Sequence, residues 1–185
     1  MSGVHVGIAH HFGWAVAVTA SAAHEVVDRR RIELLEPGTP AAPVHHDGAD
    51  LDDAGLDEML TRVRASAARA TAAALDELAA DLPGPVVSLS LRAWPPDFPT
   101  DLVVVRRAPW EARADSVMYL QVLDDVARAR GWAVHLFDAK DVEARAVALL
   151  GDRARTVLHG PRAALGPPWT KDHRTALAAT VLACG

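Results

Sequence analysis

The stretch Val4–Val18, VHVGIAHHFGWAVAV, decides how the rest of the chain is read. Val4, Val6 and Ile8 alternate with His5, Gly7 and Ala9, and Trp14, Val16 and Val18 alternate with Ala15, Ala17 and Thr19. That is the two-residue period of β-strands, and His10-His11-Phe12-Gly13 between them is a short hairpin turn. A second turn at Ser21-Ala22-Ala23-His24 leads into EVVDRRRIELLE, which Pro37-Gly38 ends, so the chain opens as a three-strand antiparallel meander.

Outward from the meander, Thr39 to Asp50 (TPAAPVHHDGAD) has two prolines, a glycine and no periodicity, and reads as a loop. From Gly55 to Asp81 the positions Leu56, Met59, Leu60, Val63, Ala67, Ala70, Leu75 and Leu78 recur at helical spacing. Asp52 or Asp53 caps this helix, and Pro83-Gly84 stops it. PVVSLSLRAW is a buried strand ended by Pro95, Pro96 and Pro99. Asp101 to Ala108 fits no single pattern. Pro109 opens a helix running to Gly131, WAVHLFDA is a short strand, Asp141 caps VEARAVALL, and Thr170 caps KDHRTALAATVLA. The order β-β-β-α-β-α-β-α-α makes strands one, four and five parallel through right-handed crossovers. The expected fold is α/β, a five-stranded mixed sheet of order 3-2-1-4-5 with helices on both faces, in one domain over residues 1–185.

Composition bounds the function. The chain has 185 residues, a formal charge of -5 and 23% charged residues, which does not describe a strongly basic nucleic-acid surface. The clusters Arg29-Arg30-Arg31 and Arg106-Arg107 read first as a solvated edge and a solvated loop, although they could form a local basic groove. Cys184 is the only cysteine, so no internal disulfide and no Cys-based metal site can form. No stretch reaches the roughly 18 apolar residues of a membrane span, and no signal-peptide pattern opens the chain, so a cytoplasmic protein without membrane contact is expected.

The meander followed by helices between later strands resembles the ribonuclease H-like fold. VARARGWAVHLF and KDHRTALAATVLA are similar to the later half of RuvC-type junction resolvases. That resemblance implies nucleic acid as the partner and two divalent ions held by about four carboxylates, one metal at the incoming and one at the leaving oxygen of a phosphodiester. Carried over by position, the first-strand acid falls on Ala9 or His10 and the fourth-strand acid near Ser90. Asp172 matches at the start of the last helix, with Asp138 at the end of strand five as a further candidate. The acidic site is therefore expected to be degenerate, and nuclease activity lost or altered.

Ligands of open α/β sheets collect beyond the carboxyl ends of parallel strands. There the chain offers His10 and His11 from strand one, Arg92 and Trp94 from strand four, Asp138 and Lys140 from strand five, and Asp172 and His173 from the last helix. His173 is in line with Leu177, Val181 and Cys184 and is expected to face inward. His10, His11, Asp138, Asp172 and His173 are the candidate metal ligands, and imidazole in the set favours Zn²⁺ or Mn²⁺ over Mg²⁺. Asp172 and Asp138 are the candidate catalytic acids. Arg92, Arg106 and Arg107 are candidate nucleic-acid contacts, with Arg113 beside them, and Trp94, Trp110, Trp132 and Trp169 could stack on bases. A turn histidine pair and a first-turn aspartate also arise for purely structural reasons, as does the loop pair His45-His46. A protein-interaction or structural role, with a protein partner or a homodimer, is the alternative function.

Overall fold

The structure, a computed structural model, describes residues 3–185. Strands β1 (Val4–His10), β2 (Trp14–Ser21) and β3 (Val26–Glu33) form the expected meander. Gly13 turns the first hairpin with φ of 81°, a conformation that costs a side-chain-bearing residue more than glycine. β4 (Val86–Arg92) and β5 (Ala133–Phe137) add parallel to β1, giving the order β3-β2-β1-β4-β5. Sheet order and strand directions are those the sequence predicts.

Two helical layers cover this sheet, and strand alternation decides which side chain meets which layer. Val6 and Ile8 of β1 face α1 (Asp53–Asp81) and α3 (Glu111–Ala129), where Val63, Leu75, Met118 and Leu123 complete one core. The opposite face, with Val16, Val18 and Phe137, packs on α4 (Val142–Leu150) and α7 (Lys171–Cys184). Gly7 is on that second face because α7 lies directly on it: a Cβ there would stand 1.9 Å from the Ala176 carbonyl oxygen.

Several local expectations change. The segment read as a loop contains a single π-helical turn, Pro43–Asp47, held against α3 because the buried Asp115 carboxylate accepts from the Val44 and His45 amides at 3.0 and 2.9 Å. α2 (Leu102–Val105) forms where no pattern was legible, and α3 starts at Glu111 rather than at Pro109. Asp52, not Asp53, caps α1, accepting from Gly55 N–H. Asp141 stands at the start of α4 without a side-chain cap bond, whereas Thr170 caps α7 as expected. The connection before α7 holds two further short helices, α5 (Ala154–His159) and α6 (Pro161–Leu165).

The arginine cluster on β3 is not a merely solvated edge. Arg29 donates to the carbonyls of Leu165, Gly166, Pro167 and Pro168, fixing the loop that leads into α7. Arg30 bridges Asp28 and Asp81, and Arg31 pairs with Glu33 while lying 4.0 Å from the Trp14 ring centroid. Among the described residues, no helix is long and apolar enough to cross a membrane.

Candidate functional site

Because β1, β4 and β5 run parallel, their carboxyl ends open on one rim, and a cleft of about 580 Å³ lies there. His10 enters it from the end of β1, Arg92 and Trp94 from the end of β4, and Asp138 and Lys140 from the turn after β5. Arg113 and Ser116 reach it from α3. Three basic side chains, Arg92, Arg113 and Lys140, thus line the same space as one carboxylate, Asp138. One Asp138 oxygen already accepts from the Lys140 backbone amide at 2.9 Å.

His10 is the most perturbed group of the cleft. Burial first, then Arg92 and then His11, lower its pKa to about 4, so the ring is neutral near pH 7. Its Nε2 is 2.7 Å from the Ser116 hydroxyl. Neutral imidazole next to a hydroxyl gives the cleft hydrogen-bonding capacity without negative charge. Such an assembly of guanidinium, ammonium and hydroxyl groups can hydrogen-bond an anion.

The five ligand candidates do not come together as one metal set. His10 pairs with Ala15 across the hairpin and shares its face of the sheet, which belongs to the α1 and α3 layer. One residue on, His11 turns to α7, where its Nε2 lies 2.9 Å from Asp172 Oδ2 and its ring stacks on Trp14 at 4.1 Å. His173 does face inward, but its Nδ1 accepts from the backbone amide of Thr170 at 3.2 Å and lies 2.9 Å from the Thr170 hydroxyl, so capping α7 uses it. Burial and the nearby Arg29 lower its pKa, and Asp172 opposes them. Among the described residues no group of three or more His, Cys, Asp or Glu side chains is arranged to hold a metal ion. A two-metal centre needs several oxygen donors converging on adjacent points, and the donor set on this rim does not fit that requirement.

Other expected positions separate as well. Ser90, where the fourth-strand acid would fall, is buried beneath α7 and donates to the Ala179 carbonyl. Arg106 is tied to Asp53 and to the Leu51 carbonyl, and Arg107 is exposed in the turn before α3; neither lines the cleft. Trp169 is buried with its indole N–H on the Leu158 carbonyl. Ser116 and Asp115 carried no sequence signal, since a serine and an aspartate inside a helix read as ordinary positions until the partner strand and turn are known.

Comparison with protein-family models finds no match, and neither does comparison with curated proteins. Solved structures do match. The chain is similar to T. thermophilus RuvC in complex with a Holliday junction substrate, at 13% identity and a TM-score of 0.53, over 98% of this chain and 93% of that one. It is also similar to a Thermus thermophilus RuvC structure at 16% identity and a TM-score of 0.50, with the same coverage. At such identities the likeness establishes the ribonuclease H-like fold, a five-stranded mixed sheet flanked by helices.

Proposed function

We propose that this ribonuclease H-like chain associates with nucleic acid through the cleft at the carboxyl ends of β1, β4 and β5, binding the phosphodiester backbone without two-metal cleavage. The observation that carries the reading is the exchange of charge at the rim: Arg92, Arg113 and Lys140 stand around a neutral His10, with Asp138 as the sole carboxylate of the lining. Carboxylates would recruit metal ions to a phosphate, whereas guanidinium and ammonium groups contact it directly. The structural neighbour that is in complex with a Holliday junction substrate supports nucleic acid over other polyanions. In this reading the acidic site is degenerate. Asp172 is engaged by His11 at the edge of the cleft, and Asp138 orders the turn carrying Lys140.

Junction, duplex and single-stranded DNA and RNA, incubated with the protein and Mg²⁺ or Mn²⁺, test the reading. Retarded complexes without cleavage are expected, unchanged in Asp172→Asn. Cleavage that requires a divalent ion and disappears in Asp172→Asn would show that nuclease chemistry is retained.

A second reading, a protein-docking role, is favoured by one observation. Val147 and Leu149 of α4 are 46% and 54% exposed. It predicts no retarded complex with any of these substrates.

A further inference from the structure

Adjacent stripes of α3 line two different spaces. Arg113, Ser116 and Leu120 face the cationic cleft, whereas Ala114, Met118 and Gln121, one or two positions further on, face a second cavity of about 360 Å³ between α1, α2 and α3; Val117 lines both. One residue along a helix turns the side chain by about 100°, so the two spaces are neighbours around a single helix.

The floor of the second cavity is apolar. Val44, Val105 and Ala114 form a small buried cluster with Leu60 and Phe98 packed on it. Its rim is polar in a mixed way. Asp57, Thr61 and Arg64 project from one face of α1, and Gln121 projects from α3. Asp57 can only accept hydrogen bonds, Arg64 can only donate, and Gln121 does both. An apolar floor under a rim of alternating donors and acceptors suits a flat ring that is apolar on its faces and polar at its edges.

We propose that this cavity receives a single unpaired nucleobase from a strand whose phosphates lie in the adjoining cleft. The proposal rests on the nucleic-acid reading above and adds the class of ligand: single-stranded or branched nucleic acid, since paired bases have their edges engaged. A flipped base stacks on Phe98, its edges meet Asp57, Arg64 and Gln121, and the strand rounds the first turn of α3 to place the next phosphate by the exposed Arg113.

The test compares a labelled single-stranded oligonucleotide with an abasic oligomer of equal length, by fluorescence anisotropy at fixed salt. The base-bearing strand is expected to bind roughly tenfold or more tightly, the range one stacked base supplies. Thr61→Trp, a substitution at an exposed position on the rim, fills the cavity and should remove that preference while leaving abasic affinity unchanged. Thr100→Trp, also at an exposed position of the lining, serves as a second plug should the first variant fold poorly. Trp110, which meets Phe98 in a T-shaped contact at 5.5 Å, gives an optical readout: both strands can alter the emission of Trp94 in the cleft, but the additional change produced by the base-bearing strand should vanish in Trp110→Phe. Equal, salt-sensitive affinity for both oligomers would overturn the base site while leaving the phosphate cleft standing. A preference that survives both plugs would also overturn it. Binding of neither oligomer would remove the nucleic-acid reading and this inference with it.

Discussion

Burial of the His10 imidazole beside Arg92 and His11 makes the folded protein resist protonation that the unfolded chain accepts. The folded pKa is about 4 and the ordinary value 6.5, so between those two pH values the unfolded state holds the extra proton. Stability therefore falls as the pH drops from about 6.5 to about 4, by up to about 3 kcal/mol, and the group contributes nothing above that window. His5, His24 and His173 are lowered as well and act with the same sign. His10→Asn, which keeps a polar partner for Ser116, is expected to flatten part of the acid limb of a plot of Tm against pH. An unchanged limb would mean that His10 titrates normally. At this scale the sequence identified His10, His11 and Asp172 as rim residues but not their grouping. Successive residues of an extended chain point to opposite faces, so His10 at the end of β1 joins Ser116 on α3 and His11, the next residue, joins Asp172 on α7. That separation depends on which helix covers which face, a tertiary fact with no local signature.

Elements with a strong period were legible: the meander, the 29 residues of α1 and the sheet order all follow from alternation, helical spacing and crossover handedness. The π-helical turn and the helices α5 and α6 were not, because each spans six residues or fewer, too few to repeat a pattern. Two contacts between elements carry sharp expectations. Gly7→Ala places a methyl 1.9 Å from the Ala176 carbonyl, on backbone that cannot swing aside, so α7 must move off the sheet. A loss of at least about 3 kcal/mol in urea denaturation is expected, against fractions of that for an alanine tolerated in a strand. Asp115→Ala leaves the Val44 and His45 amides without their acceptor and should cost about 2–4 kcal/mol, with amide exchange accelerated across Pro43–Asp47. An exchange pattern like that of the parent would show that the turn does not depend on Asp115.

For the whole molecule, a net charge of -5 and a cationic cleft are compatible because the positive charge is local. Arg29, Arg30 and Arg106, prominent in the sequence, are used in structural contacts, while Arg92, Arg113 and Lys140, far apart in sequence, converge on one rim. Fold class is legible in the order of elements even at 13% identity to a solved structure of the same fold. Site chemistry is not, because it depends on which side chains the rim collects. The central claim is that these cations bind phosphates directly, and the salt dependence of DNA binding, measured with a chelator present, tests it most directly. Three phosphate contacts predict a slope of log K against log[salt] of about -2 for single strands, shallower by about 0.7 in Arg92→Ala. Binding that requires a divalent ion, or a slope unaltered by Arg92→Ala, would contradict the claim.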